Sequence, residues 1–320
     1  MLKVTGITVD GREIVLENLI KIRLEKSLWV PAHSLQGEFF WEMAQEEMKY
    51  LKVSADGKIV FHGPVDEQAL SCTAQGTVLS VSARSRAAYL LDNEAIPRIY
   101  DRPSFEDICS IHCKPYGFQK YLGTGRCPAK FQVSKGMTEW DVLDRFCRSV
   151  MGKRVRITDD DVIDASGGME PERIIISNHI PGGLRFSSAK AGYKRYGVVS
   201  EIQYKLNSGE DYTYFIKNED AQRQGINARR LVNLGGVPDW MNGALTQGKL
   251  EDSTRERFTV TAVLPEILLA QVGMGAAFLD PVLGEYRDLM VSAVSCKIDA
   301  KDASTSVTLH PKNILSGGNN

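Results

Sequence analysis

Cysteine is scarce in this sequence, and its spacing fits no disulfide framework. The 320 residues include six cysteines, at Cys72, Cys109, Cys113, Cys127, Cys147 and Cys296. A small and irregular set of this kind is typical of proteins that fold in a reducing compartment. We therefore predict that all six are free thiols and that the chain folds in the cytoplasm.

Long hydrophobic runs and an excess of one charge are also missing. No stretch approaches the roughly twenty consecutive apolar residues that a membrane-spanning helix requires, and the first residues lack the basic and apolar segments of a signal peptide. The 39 Lys and Arg residues nearly balance the 40 Asp and Glu residues. We therefore expect no membrane insertion, and the charge balance gives no argument for binding nucleic acid.

The common catalytic and nucleotide-binding motifs are missing as well. The five histidines are scattered, and none lies in a serine-elbow or paired-histidine zinc motif. Gly123-Thr124-Gly125 lacks the third glycine of a dinucleotide site. The acidic run at residues 158–161 lacks the glycine and glutamate of a calcium loop, so we interpret it as a solvated loop. No catalytic residue is predicted, and we expect the protein not to be an enzyme.

One group of metal-type ligands is present. Cys109, His112 and Cys113 fall within five residues and Cys127 follows, which makes these four candidate zinc ligands. The common zinc sites combine two close pairs of ligands, and no matching second pair accompanies these residues. Buried free thiols are therefore the preferred interpretation, and no metal or cofactor is expected.

Residues 1–95 alternate apolar and polar side chains as half-buried strands do. The alternation around Ile22 and Leu24 places the apolar groups on one face. Asp56-Gly57 separates two alternating runs, and glycine accepts the positive φ of a tight turn, so a hairpin is predicted there. The region is predicted to be an antiparallel barrel or sandwich of short strands.

Residues 96–172 change to helical patterns. The stretches 104–107 and 138–141 each have the capping-box spacing that begins a helix. The second helix carries Trp140 on an apolar stripe, so this side chain is expected in the core. Together with the glycine-rich stretch 166–168, which suits a boundary, these patterns predict a small α/β insertion.

Residues 173–312 return to alternation. A helical or irregular excursion interrupts the pattern at about 218–257, and Pro238 is placed to begin a helix in it. Residues 202–216 are predicted to form two strands around a turn at Asn207-Ser208-Gly209. The last residues, 313–320, are predicted to be a flexible tail.

Two single residues carry expectations of their own. Trp29 follows a predicted strand and precedes Val30-Pro31, which makes it the interface candidate of this chain. His62 stands at a strand end, where a hydrogen-bonded structural histidine is favoured over a general base.

Five stretches carry a family resemblance: residues 56–65 (DGKIVFHGPV), 83–95 (ARSRAAYLLDNEA), 133–143 (VSKGMTEWDVL), 224–230 (QGINARR) and 272–280 (VGMGAAFLD). Taken in their order along the chain, they resemble the baseplate hub proteins of contractile phage tails. That family includes the late control protein D of phages, the hub of Mu-type phages and the N-terminal part of type VI spike proteins. The likeness covers nearly the whole chain and is greatest to the hubs of Gram-positive prophages and bacteriocins.

The resemblance implies a mainly β fold with an α+β insertion. Two tail-tube-like antiparallel β-barrels, at 1–95 and 173–312, would flank the small α/β domain at 96–172. A homotrimeric ring of such chains would present six barrels, and would adapt a hexameric tail tube to a trimeric spike. The implied partners are the tail tube protein, the spike protein and other baseplate proteins. The implied place is the baseplate of a virion or tail-like particle that is assembled in the bacterial cytoplasm.

Two other functions remain open from the sequence. Residues 136–143 faintly resemble the opening of LysM-like modules, which bind peptidoglycan, although such a module would explain only a fragment of the chain. A tail-associated cell-wall hydrolase is the second alternative, and it would need a nucleophile or a set of metal ligands.

Overall fold

The structure is a computed structural model that describes residues 2–44, 46–168, 170–207 and 209–312. The turn predicted at 207–209 falls partly outside these ranges, and the tail predicted at 313–320 falls wholly outside them. We call residues 1–95 the first β region, 96–172 the middle region and 173–312 the second β region.

The first β region is built almost entirely from strands. Its elements are β1 (Leu2–Thr8), β2 (Glu13–Val15), β3 (Leu19–Ser27), β4 (Ser34–Phe40), β5 (Met48–Ala55), β6 (Lys58–Thr73), β7 (Gly76–Arg84) and helix α1 (Ala88–Asp92). The hairpin at Asp56-Gly57 is confirmed: Ala55 pairs with Lys58, and both turn residues have positive φ, +49° and +82°. Two positive φ angles in succession are what a type I′ turn requires.

The middle region mixes short strands and helices. Its elements are β8 (Arg98–Asp101), α2 (Phe105–His112), β9 (Lys120–Leu122), β10 (Lys130–Val133), α3 (Glu139–Phe146), β11 (Arg156–Ile157) and β12 (Val162–Asp164). Both predicted capping boxes are confirmed, with Ser104 and Asp107 capping α2 and Thr138 and Asp141 capping α3. Each box satisfies free backbone N–H groups at the helix start, which is why both helices begin where the sequence indicates.

The second β region contains two kinds of sheet. Its elements are β13 (Glu170–Ile176), β14 (Ser188–Tyr193), β15 (Glu201–Lys205), β16 (Tyr214–Lys217), α4 (Glu219–Arg223), β17 (Arg229–Asn233), α5 (Asp239–Thr254), β18 (Phe258–Leu264), β19 (Met274–Asp280), β20 (Gly284–Asp299) and β21 (Ala303–Pro311). The strands β15 to β17 form a sheet of their own against α5. The excursion therefore begins near residue 201, and its predicted start at about 218 was wrong, because β17 returns to pair with β15.

The two β regions are joined in one sheet. Within the described residues this sheet has thirteen strands, in the order β14-β18-β21-β20-β3-β4-β7-β6-β5-β1-β2, with β19 and β13 added beside β20. The strand β20 is 16 residues long, so its first half pairs with β19 and its second half with β3. The fold is therefore mainly β, as predicted. The two barrel-like halves are joined edge to edge through the pairing of β20 with β3.

The two halves also share one hydrophobic core. The buried face of the first half, including Phe39, Leu51 and Leu79, packs in the same cluster as Phe278 and Val307 of the second half. The middle region has a separate core around Phe105, Phe131 and Phe146. Trp140 packs against this second core, as its helical spacing predicted.

The halves repeat the same strand pairing. The order β3-β4-β7-β6 in the first half matches β14-β18-β21-β20 in the second, and in both cases the long strand is preceded by a hairpin partner, β5 or β19. A bulge also recurs: pairing shifts between Val65 and Glu67 in β6, and between Val291 and Ala293 in β20. The offset that relates Val65 to Val291 also relates the partner Ala83 to Leu309. The chain thus contains an internal structural repeat, and the two β regions hold its two copies.

Candidate assembly surface

The outer face of the joined sheet is polar where the two β regions meet. On this face Glu25 of β3 lies opposite Ser34 of β4 and opposite Ser295 of β20, and Ser295 in turn lies opposite Ser306 of β21. Residues that pair across strands share a face of the sheet. The register therefore places a row of polar side chains, three serines and Glu25, across four strands from both regions.

A groove of about 430 Å³ lies on this face, between the second half of β6 and the end of β20. Several of its charged side chains are paired: Lys21 Nζ lies 2.8 Å from Glu38, and Lys297 Nζ lies 2.6 Å from Asp299 at the same edge. Exposed pairs of this kind contribute little to stability. Their effect is to keep the face hydrophilic with positive and negative groups interleaved.

The acidic loop of the middle region docks on the first β region. Asp159 forms an ion pair with Lys26, and its second carboxylate oxygen lies 3.6 Å from His33 Nε2. Lys26 is only 2% exposed and Asp159 only 11%. The prediction that this loop is solvated was therefore wrong. A buried ammonium group needs a carboxylate partner, and the loop provides it.

Burial controls the protonation of His33 at this joint. Loss of solvent lowers the pKa of His33 to about 4; the carboxylate of Asp159 opposes this shift and the ammonium of Lys26 adds to it. The imidazole is therefore neutral near neutral pH. Docking of the acidic loop thus depends on the Lys26 charge, with His33 as a neutral neighbour.

A second pair of contacts holds the same loop. Asp161 lies 3.0 Å from His62 Nε2 and 3.1 Å from Arg86 Nε, while His62 Nδ1 is hydrogen-bonded to the Tyr50 hydroxyl at 3.0 Å. Both ring nitrogens of His62 are thus engaged by the protein. The arrangement agrees with the structural role predicted for this histidine.

The middle region is also attached to the second β region. Arg156 donates to Asp164 at 3.0 and 2.7 Å and to the Val272 carbonyl at 2.9 Å. Both charged side chains are less than 10% exposed. Although burial acts to raise it, hydrogen bonds from Ser166 and Arg156 hold the pKa of Asp164 below its ordinary value. The middle region thus makes buried polar contacts with both β regions, through its acidic loop and through Arg156 of β11.

The interface candidate Trp29 contacts three parts of its own chain. The guanidinium of Arg154 lies 5.2 Å from the ring centroid and that of Arg255 lies 4.8 Å from it, while His310 meets the ring edge to face at 5.7 Å. Cations at this distance from an indole ring are attracted to its face. Trp29 is half-buried, and its role toward another molecule stays a prediction.

The four candidate zinc ligands lie in the core of the middle region. Cys109, Cys113 and Cys127 are at most 1% exposed, and no group of three or more His, Cys, Asp or Glu side chains suited to a metal occurs among the described residues. The ring of His112 is engaged at both nitrogens, with Glu139 at 2.5 Å and the Tyr100 hydroxyl at 3.0 Å.

Two thiols of this group, Cys113 and Cys127, favour the protonated form. A hydrogen bond with Cys109, together with burial, raises the pKa of Cys113 well above its ordinary value, and burial raises the pKa of Cys127. Metal ligation needs the thiolate. The arrangement therefore favours core packing for these residues.

The described part of the chain contains no helix long and apolar enough to cross a membrane.

Solved structures that share this fold are tail proteins and a related secretion component. The 43 kDa tail protein of prophage MuSo2 from Shewanella oneidensis superposes with a TM-score of 0.77 at 16% identity, covering 98% of both chains. The prophage tail protein gp18 from Listeria monocytogenes EGD-e gives 0.61 at 15% identity, covering 96% of this chain and 93% of its own. The MuSo2 protein thus superposes better than the Listeria protein.

A third structure extends the fold to secretion systems. A component of the E. coli type VI secretion system, itself similar in structure to the T4 tail proteins gp27 and gp5, gives a TM-score of 0.58 at 9% identity. The match covers 97% of this chain and 76% of that one. No family model and no curated protein matches the sequence. The chain therefore shares its fold with these phage tail proteins and with the secretion component.

Proposed function

We propose that the protein is a structural hub of the baseplate of a contractile tail or tail-like particle, with no enzymatic activity. The observation that carries the proposal is the internal repeat: two sheet units have the same strand order and the same bulge, and they are joined in one continuous sheet. A chain with two equivalent units can occupy two positions of a pseudo-symmetric ring. It is therefore suited to join assemblies of different symmetry.

Three copies would supply six such units. A closed ring of three chains presents six equivalent sheets to a hexameric tail tube and three equivalent chains to a trimeric spike. Homotrimer, tube protein, spike protein and other baseplate proteins are accordingly the proposed partners. The proposed units of each chain are residues 1–95, 96–172 and 173–312, with assembly in the bacterial cytoplasm.

The polar outer face would line the centre of this ring. It spans the strands where the two repeats meet, and the groove near Lys21 and Glu38 lies on it. Short hydroxyl groups and paired charges give passing molecules no single strong binding site. Such a lining suits a passage. The buried ion pairs of the middle region would keep that region fixed on the other side of the two sheets, away from the centre of the ring.

Assembly with partners tests the proposal. The protein is co-expressed with the tube and spike proteins of the same particle, and the complex is imaged by electron microscopy. We expect class averages with three-fold symmetry that contain six sheet units. A complex with another symmetry, or a chain that stays monomeric with both partners present, would contradict the proposed ring.

A wall suspension distinguishes the two alternatives. Clearing of turbidity by the purified protein would identify a hydrolase, and co-sedimentation without clearing would identify a wall-binding module. We expect neither result, because the apolar side chains of residues 136–143 pack in the core of the middle region, with Trp140 packed against that core. The heat-denatured protein serves as the control.

A further inference from the structure

A pocket of about 450 Å³ lies on the outer face of the second β region, over β14, β18 and β21. Thr308 and His310 line it, and both share the face of Ser306 because side chains alternate along a strand. Lys190 of β14 and Lys194, which follows β14, line it as well. The pocket shares no lining residue with the groove at the joint of the two repeats, so it is a separate feature of the same face.

The first repeat shows which interactions are made at the equivalent place. The offset between the repeats relates Arg84 to His310 and Asp66 to Ser292. Arg84 donates to Asp66 at 2.9 and 2.8 Å, and it also donates to Asp92 at 3.0 and 2.7 Å. Asp92 is the last residue of α1, which follows the strand of Arg84. In the first repeat this position therefore has one partner within the hairpin and a second partner, a carboxylate, from outside it.

In the second repeat only the partner within the hairpin is present. His310 Nδ1 lies 2.5 Å from Ser292 Oγ, and that hydroxyl donates to the Thr308 carbonyl at 2.9 Å. Because the hydroxyl proton is in use, Nδ1 carries the ring proton and donates, and Nε2 is an acceptor. Nε2 is buried without a hydrogen-bond partner among the described residues, in a side chain that is only 4% exposed. The place of the Asp92 carboxylate thus has no counterpart here.

The pocket has the charge to attract a carboxylate. Lys190 and Lys194 line it, and the Arg255 guanidinium lies 4.8 Å from the ring centroid of Trp29, which also lines it. Among the described residues that line the pocket, Glu256 is the single carboxylate, and it lies 2.5 Å from Lys194 Nζ. Both side chains of that pair are more than half exposed, so the pair is weak. Positive charge is therefore in excess around the pocket.

We propose that this pocket, which we call the Trp29 pocket, binds an acidic segment of a partner protein, with one carboxylate in the place that Asp92 takes in the first repeat. Trp29 and Tyr193, which is 69% exposed, give the pocket aromatic sides that favour a peptide with apolar groups beside its acidic ones. Residues 313–320, which follow β21, contain no Asp or Glu. The proposal goes beyond the proposed function, because it concerns a site of the single chain and does not require the ring.

A carboxylate at His310 would bring a proton with it. Burial lowers the pKa of His310 to about 4; Arg255 acts in the same direction and Glu256 opposes it. The imidazole is therefore neutral near pH 7 in the free protein. A carboxylate beside Nε2 would raise this pKa, so the ring would take up a proton from solvent and donate it to the carboxylate. The resulting ion pair would correspond to the pair of Arg84 with Asp92.

Peptide binding tests the proposal. The probe is a rhodamine-labelled peptide of alternating Glu and Leu, and its binding to the purified protein is measured by fluorescence anisotropy. We expect Lys190→Gln combined with Lys194→Gln to weaken binding by about tenfold or more, because two charges of the pocket are removed. Both side chains are exposed, so the variant should fold. The same peptide with Gln in place of Glu should also bind about tenfold more weakly or worse.

A matched variant separates the pocket from general attraction. Lys21→Gln combined with Lys297→Gln removes the same charge from the groove at the joint, where both lysines are 56% exposed. We expect this variant to bind the Glu peptide within about twofold of the unchanged protein. Equal weakening by the two double variants, or an unchanged affinity in the pocket variant, would overturn the proposal. Equal binding of the Glu and Gln peptides would overturn it as well.

Two further readouts place the peptide in the pocket. Binding of the unlabelled Glu peptide should change tryptophan emission, and Trp29→Phe should abolish that change. Affinity should rise several-fold as the pH falls from 7 to 5, since the complex takes up a proton at His310. His310→Gln should remove this rise, whereas His33→Gln, at a histidine of equally low pKa outside the pocket, should retain it. An emission change that persists in Trp29→Phe, or a pH dependence that persists in His310→Gln, would overturn the assignment to this pocket.

Discussion

The two repeats have the same strand pairing and almost no sequence in common. In the strands of the long hairpins, β6 with β7 and β20 with β21, identical residues at equivalent positions are Val65 and Val291, Ser80 and Ser306, and Val81 and Val307. The buried positions nonetheless coincide, since Leu79, Val81 and Ala83 correspond to Thr305, Val307 and Leu309. What the repeats conserve is the face that each position occupies.

The repeats differ most in their connections. Residues 28–33 link β3 to β4 in the first repeat, whereas residues 194–257 link β14 to β18 in the second and carry a separate sheet with two helices. A long surface connection costs little extra entropy, because closure entropy grows slowly with length. The comparison shows that strand register is the fixed part of this fold and that the connections are free to vary.

The largest effect on stability is expected at Gly63, a position where the two repeats differ. A Cβ on Gly63 would overlap the Arg84 carbonyl oxygen and the Ser85 backbone, whereas the equivalent position of the second repeat holds the buried Leu289. We expect Gly63→Ala to lower the free energy of unfolding by about 3 kcal/mol or more, because backbone atoms cannot yield as side chains do. Urea denaturation measures it.

The control for this crossing is Gly235→Ala. A Cβ there would meet only the Asn233 side chain, at 3.9 Å, and its φ is not positive. We expect a change of about 0.5 kcal/mol or less. Equal effects of the two substitutions would mean that β6 does not approach Arg84 as described.

Truncation at equivalent core positions tests whether the two repeats contribute equally to the free energy of unfolding. Val81 and Val307 are both at most 3% exposed and lie in equivalent strands. Val81→Ala and Val307→Ala should each cost about 2 kcal/mol in lost burial and cavity formation. The outward neighbours Ser80→Ala and Ser306→Ala are the controls, with changes of about 0.5 kcal/mol. Core effects that differ by more than about 2 kcal/mol would show that only one repeat carries the stability.

The tight turn of the first repeat gives a comparable or smaller effect. Gly57 has φ +82°, which a β-branched residue adopts poorly, so Gly57→Val should cost about 1–3 kcal/mol. Asp56→Asn is the control, because asparagine tolerates positive φ at the neighbouring position. An unchanged melting temperature in Gly57→Val would contradict the turn geometry.

The smallest effect compares one histidine from each β region. Burial lowers the pKa of both His33 and His310 to about 4, with Lys26 near the first and Arg255 near the second acting in the same direction. The unfolded chain takes up a proton near pH 6.5, as free histidine does, and the folded chain does not until the pH is near 4. The stability associated with each histidine is therefore present above about pH 6.5 and is lost as the pH falls toward 4.

Histidine substitutions measure this loss. Between about pH 7 and pH 5 each histidine should account for roughly 1–2 kcal/mol of the decrease in unfolding free energy. His33→Gln and His310→Gln should each flatten the pH dependence by about that amount, as measured by urea denaturation at both pH values. A pH profile that neither substitution changes would place the acid sensitivity in other groups.

Local patterns in the sequence predicted the local elements well. The Asp56-Gly57 hairpin and the two capping boxes were recoverable because turn and cap chemistry involves residues close together in the chain. The strand β17 and the separate sheet around α5 were not, because the pairing of β17 with β15 joins segments more than twenty residues apart. Local propensity contains no information on such a pairing.

The inter-region contacts were missed for a similar reason. An acidic run without a partner nearby in the sequence has the composition of a solvated loop, and only the fold brings Asp159 to Lys26. One signal was present: Lys26 continues the phase of Ile22 and Leu24 on the buried face of β3. A lysine in an apolar phase indicates a buried cation that needs a carboxylate.

The sequence by itself determined the Asp56-Gly57 hairpin, where α2 and α3 begin and, in the strands with clear alternation, which side chains face the core, because alternation, turn residues and caps act over a few positions. Only the tertiary structure decided that the two β regions repeat one pairing and are joined in one sheet. Those properties depend on the register between distant strands, and identical registers can be built from side chains that differ at nearly every position.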